Sequence, residues 1–309
     1  MLPSRTGKRG CNSLPFRTRR KSVYSRLMMC KAFLRVLPTA AVLFVAALCF
    51  VQSAASPQGV QPNGVPTQMQ ASAPAAASPE ETEVWEPIPA VVTPGAVCVT
   101  PPSDAIVLFD GKNLDEWVST RDKSPAKWIV DDGAMTVRKG EGNIETKRTF
   151  KDYQLHVEWK IPENIAGAGQ ARGNSGVFLA STGLGDDGYE LQILDPWENK
   201  TYVNGMAGSI YKQSIPLVNA GRKPGEWQSY DVVWKAPAFN ADGSLKTPAY
   251  VTVFFNGLLV QNHFELKGQT LYIGKPFYKA HSAAPIKLQA HGDKSEPISF
   301  RNIWVRELK

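Results

Sequence analysis

Three short stretches of this 309-residue chain place ionisable or amide side chains two residues apart: His156 and Glu158, Glu190 and Gln192, Gln289 and His291. A spacing of two puts both members of a pair on one face of an extended strand. Carboxyl and imidazole groups are common proton carriers in catalysis, and side-chain amides orient hydroxyl-bearing ligands. A base that removes a proton also needs a group to stabilise the charge it creates. Arg172 and Asn174 are candidates, at the end of a loop carrying Gly167, Gly169, Gly173 and Gly176. Glycines permit close backbone approach, but no phosphate-loop spacing is present, so this is not a nucleotide site. Asp195, Trp197 after Pro196, and Tyr211 are loop residues placed to meet a ligand. Gln154, Lys160 and Lys287 read as a solvated outer face, and His263 and His281 as surface residues.

The elements that must carry these residues read as strands. Tyr153, Leu155, Val157 and Trp159 alternate with Gln154, His156, Glu158 and Lys160. Tyr189, Leu191 and Ile193 alternate with Glu190 and Gln192, and Ile286, Leu288 and Ala290 with Lys287, Gln289 and His291. One face of each strand is apolar and the other polar. Residues 250–255, then Asn256-Gly257, then 258–261 predict a hairpin, because Asn-Gly accepts the two positive φ values of a type I′ turn. No helical stripe of 12 residues occurs in the region. The expectation is an all-β antiparallel sandwich of about a dozen strands, of a size suited to a jelly roll.

Composition separates this domain from what precedes it. Ten of the 35 basic residues and none of the 28 acidic ones lie in residues 1–79, leaving 25 basic against 28 acidic beyond. The formal charge of +7 therefore belongs to the leader, and a nucleic-acid partner is not expected of the rest. In residues 1–55, basic residues precede an apolar run at 39–51 and the small residues Ser53, Ala54 and Ala55, the pattern of an export signal. Thirteen residues are short for a membrane span, which takes about 20, so membrane association is expected only through an uncleaved leader. A periplasmic or extracellular location follows as an expectation. Residues 56–103, rich in Pro and Ala, read as a disordered linker, and 104–309 as the folded domain. Of the four cysteines only Cys98 lies outside the leader, so no intrachain disulfide framework is expected after cleavage.

Eight motifs occur in order: LFDGKNLDEW (108–117), NSGVFL (174–179), YELQILD (189–195), GSIY (208–211), KPGEWQSY (223–230), FNG (255–257), IKLQAHG (286–292) and FRNIWVR (300–306). Together they resemble the 3-keto-disaccharide hydrolase family, also named for 3-keto-glucoside-1,2-lyase activity. The resemblance implies a concanavalin A-like jelly roll, an exported carbohydrate-active protein and a carbohydrate partner. In such a sandwich the concave sheet presents its outward side chains to the sugar, so His156, Glu158, Glu190, Gln192, Gln289 and His291 would share one cleft.

The resemblance also implies a chemistry. A ketone at the third sugar carbon acidifies the proton on the second, a base removes it, and the anomeric substituent leaves; water then adds. Glu190 or His291 would be the base, and Arg172, Asn174 or Gln192 the enolate stabiliser. Two alternatives stay open. One is a retaining glycosidase using Glu190 and Asp195, although the laminarinase-type E-x-D-x-x-E pattern is here E-x-Q-x-x-D. The other is a glycan-binding module without catalysis. The sequence requires no cofactor; Glu, Asp and His leave a divalent metal open, with no ligand spacing to specify it.

Overall fold

A computed structural model describes residues 78–91, 100–292 and 297–309. The expected signal segment and most of the expected linker lie outside these. The described residues form fifteen strands: β1 (Ile106–Phe109), β2 (Trp117–Ser119), β3 (Ile129–Asp131), β4 (Ala134–Thr136), β5 (Ile144–Thr146), β6 (Tyr153–Lys160), β7 (Ser175–Ser181), β8 (Gly188–Ile193), β9 (Trp227–Lys235), β10 (Ala238–Phe239), β11 (Leu245–Thr247), β12 (Tyr250–Phe255), β13 (Leu258–Glu265), β14 (Lys287–Leu288) and β15 (Ser299–Glu307). The described residues contain no α-helix, only short 3₁₀ turns, and no helix long and apolar enough to cross a membrane.

Two antiparallel sheets face each other. The larger runs β13-β12-β9-β6-β15-β4-β3, with β1 also on β15, and the smaller runs β2-β5-β14-β7-β8. Tyr153, Leu155, Val157 and Trp159 of β6 and Tyr230, Val232 and Trp234 of β9 meet Val177, Leu179, Leu191, Ile193 and Leu288 of the smaller sheet in one core. The predicted hairpin joins β12 to β13 at Asn256 (φ 50°) and Gly257 (φ 82°). The all-β sandwich expected from period-two alternation is what the chain forms.

Strands β7 and β8 break that alternation in burial, since every residue in both is buried. The larger sheet covers their inner face, and loops cover the outer one. The edge of β8 pairs with a loop through Gln192 N–H to Ser209 O (3.0 Å) and Tyr211 N–H to Glu190 O (3.2 Å). Lys287, expected as a solvated face, is fully buried, and its ammonium caps the carbonyls of Gly183, Gly185 and Asp187. Burial lowers its pKa to about 8.

Residues 78–91, assigned by composition to the linker, are docked on the domain. Val203 N–H donates to Val84 O (2.6 Å), Asn219 N–H donates to Ala90 O (2.8 Å), and Val91 bridges to Asn219. This stretch cannot bury a core of its own, but it satisfies its backbone on a surface that is already built.

Candidate functional site

The register of the smaller sheet sets out the site in rows. Glu145, Lys287, Phe178 and Glu190 lie side by side across β5, β14, β7 and β8. Two residues along, Gly176 faces Gln192, and Gln289 N–H donates to Gly176 O (3.0 Å). Above this sheet lies a pocket of about 530 Å³ lined by Glu83, Gln170, Asn174, Asp186, Glu190, Gln192, Tyr202, Tyr211, Thr270, Tyr272, Gln289 and His291. The structure thus brings together six candidates: Asn174, Glu190, Gln192, Tyr211, Gln289 and His291.

Glu190 is a strongly desolvated acid of the pocket. Burial pushes its carboxyl well above the usual range, Asp186 adds to the rise, and Lys287 opposes it. Its backbone is fixed by Thr270, whose hydroxyl accepts from Glu190 N–H (3.1 Å), yet no described side chain donates to its carboxyl. Gly176 leaves the space that the carboxyl occupies. A carboxyl with so few partners and so little water is poised to exchange protons with a ligand.

Around it stand polar groups held by one another. Gln192 Nε2 donates to Asn174 Oδ1 (3.2 Å), and Asn174 Nδ2 donates to Gln170 O (2.8 Å). Gln289 Oε1 is buried without a hydrogen-bond partner. The hydroxyls of Tyr202 and Tyr211 are 2.7 Å apart. In such a pair one hydroxyl donates to the other, so one proton is left for a ligand. Burial raises Tyr202 to about 12 and Tyr211 further, keeping both as neutral donors.

Sequence reasoning missed Glu83, Gln170, Asp186, Tyr202, Thr270 and Tyr272. All lie outside the alternating strands that drew attention, and loop closure alone brings them to the pocket. Asp186 is steadied by Asn143 Nδ2 (3.1 Å) in the loop that Lys287 caps.

Other candidates are placed elsewhere. Arg172, expected as an enolate stabiliser, does not line the pocket; its Nε is 2.5 Å from Oδ2 of Asp195. Asp195, expected to touch substrate, is fully buried, accepting from Arg172 and from Trp197 N–H (3.1 Å). Burial raises its pKa, with these hydrogen bonds opposing. Trp197 lines a separate cleft with Trp85, Ile88 and Pro89, beneath the ammonium of Lys223.

His156 and Glu158 do not share the cleft, because β6 belongs to the larger sheet. On its outer face His156 Nδ1 lies 2.7 Å from Asp231 Oδ1, and its ring stacks on Trp304 with centroids 5.3 Å apart. Glu158 is held by Arg301 and Asn302. A bulge at Asn302 (φ 46°) turns Arg301 and Trp304 to this same face. Burial disfavours the charged imidazole, but bonding to Asp231 and Glu158 prevails and raises His156 to about 9. Burial likewise opposes ionisation of Glu158, and its bonds to His156, Asn302 and Arg301 prevail, lowering it to about 2. Among the described residues no group of three or more His, Cys, Asp or Glu is gathered as a metal site.

Comparison with known proteins agrees with this architecture. A candidate glycosyl hydrolase from Parabacteroides distasonis ATCC 8503 is 55% identical, with 74% of this chain and 96% of that chain covered and a TM-score of 0.65. A second from the same organism is 21% identical over 66% of this chain and 94% of that one, with a TM-score of 0.48. A search of curated proteins gave no match. Residues 104–306 match the model of the 3-keto-alpha-glucoside-1,2-lyase-like domain, and the chain belongs to that family.

Proposed function

We propose that this protein cleaves the glycosidic bond of 3-keto-glycosides by proton abstraction and elimination, with hydration of the product. The observation that carries the reading is Glu190: a buried carboxyl with a raised pKa that accepts no hydrogen bond from a described side chain and lines a sugar-sized pocket. Family membership and the 55% identical candidate glycosyl hydrolase support a carbohydrate as substrate.

Ionised Glu190 removes the proton from the second sugar carbon. Its raised pKa makes it a stronger base than an exposed carboxylate, and the low polarity strengthens each interaction around the developing charge. The electron pair moves onto the ketone oxygen, which receives the free proton of the Tyr202–Tyr211 pair as a hydrogen bond. The anomeric oxygen then departs with the proton that Glu190 took from the second carbon, which leaves Glu190 ionised again, and water adds across the new double bond. Gln192, Asn174 and Gln289 orient the ring hydroxyls, and His291 stands at the rim. This assignment moves the stabilising role from Arg172 to the tyrosines.

A second reading, a retaining glycosidase, has one observation in its favour. Asp186 supplies a second carboxyl to the pocket, where the expected Asp195 does not. Incubation with 3-keto-trehalose and with an unmodified β-glucan, followed by product analysis, separates the readings. Cleavage of the keto-sugar alone supports the proposal. Cleavage of the glucan alone favours the glycosidase, and no product from either leaves a binding module. Export by the leader is part of the proposal, and N-terminal sequencing of the mature protein tests it.

A further inference from the structure

Segment 78–91 lies outside the region matched by the family, yet its Glu83 lines the pocket. We propose, building on the carbohydrate reading of that pocket, that this segment is a working part of the site: Glu83 binds a pair of sugar hydroxyls, and Asn204 is the positioning residue that holds it there.

Asn204 is 3% exposed and spends its whole side chain on the segment. Its Nδ2 donates to Thr82 O (2.9 Å), and its Oδ1 accepts from Val84 N–H (3.0 Å). These are the peptide groups on either side of Glu83, so one buried amide brackets that residue. Val203 N–H to Val84 O adds a third bond beside it. Two further contacts pin the segment to the pocket walls. The ammonium of Lys212 donates to Pro79 O (2.7 Å) and Tyr272 O (2.9 Å), joining the segment to a loop across the pocket. The indole of Trp85 packs edge-on against Tyr202, with centroids 6.2 Å apart.

The carboxyl so placed lines the pocket but accepts no hydrogen bond from a described residue. A carboxylate has two oxygens and several lone pairs, and adjacent ring hydroxyls match them as paired donors. Glu83, Asp186 and Glu190 line the pocket, and no described Lys or Arg does.

Calorimetric titration of the full chain with trehalose, which lacks the ketone the proposed reaction needs, tests this without relying on turnover; 3-keto-trehalose is titrated in parallel into protein made inactive by Glu190→Gln. Glu83→Gln keeps the shape and removes the charge. It should weaken binding of either sugar by about tenfold or more, with an unchanged thermal midpoint. Asn204→Ala should act in the same direction and speed amide exchange at Val203 and Asn219, which donate into the segment; if that variant fails to fold, Glu83→Gln decides alone. Wild-type affinity in Glu83→Gln overturns the proposal, as does a wild-type protein that binds neither sugar. Glu83-dependent binding without cleavage of the keto-sugar would sink the proposed reaction and leave this inference standing. Normal cleavage with affinity unchanged in Glu83→Gln would do the reverse.

Discussion

Gly176 and Glu190 are fitted to each other across neighbouring strands: a β-carbon at 176 would lie 2.4 Å from Glu190 Oε1. The missing side chain at one position is what admits the carboxyl at the other. Gly176→Ala should therefore displace the carboxyl rather than unfold the sheet, since the atom met is the far end of a flexible side chain. We expect turnover of the keto-sugar to fall about a hundredfold, as for other ångström-scale misplacements. The thermal midpoint should move by only a few degrees. Retained activity would show that the position of the Glu190 carboxyl does not matter.

Glu190 should also leave a mark on stability. Its folded pKa is raised, so the folded state holds the proton more tightly than the unfolded chain does. The resulting stability is full below the ordinary carboxyl range and is lost as pH rises through the folded pKa. Glu190→Gln carries no such proton, so its thermal midpoint should exceed that of the wild type increasingly from about pH 4.5 upward. It should abolish turnover while affecting sugar binding only modestly. Parallel stability curves for the two proteins would contradict the desolvated carboxyl.

The His156 cluster predicts the same direction in a higher window. With a folded pKa of about 9 against an ordinary 6.5, its stabilisation is complete below 6.5 and disappears between 6.5 and 9. Asp231→Asn should cost on the order of 1–3 kcal/mol at pH 6, with the difference shrinking towards pH 10. Thermal midpoints across that range test it. Because the cluster sits on the larger sheet, kcat for the keto-sugar should stay near that of the wild type.

Arg172 and Asp195 should behave as a structural pair. Arg172→Ala leaves a fully buried carboxyl without its cation, an arrangement that costs about 3–5 kcal/mol. Adding Asp195→Asn should restore part of the stability and, with it, the activity. A stable double variant with no turnover would return Arg172 to the catalytic set.

Much of the architecture was legible in the chain itself. Alternation in 153–160 and 189–193 specifies which side chains face the core, because successive residues of a strand point to opposite sides. Asn256-Gly257 specifies a hairpin, because few residues accept two positive φ values. The same period placed Glu190 with Gln192, and Gln289 with His291, on the pocket side.

Tertiary structure decided the rest. Alternation gives the face of a strand and not the sheet to which it belongs, so His156 and Glu158 carried the same signal as Glu190 and lie on the opposite sheet. Nor does it tell a polar face open to water from one roofed by loops, which is why Lys287 is buried and Glu190 is desolvated. Asp186, Tyr202, Tyr211 and Glu83 meet only because separate loops and the 78–91 segment close over β8. Those contacts join residues far apart in sequence, and their strength comes from burial and backbone pairing that no local pattern encodes.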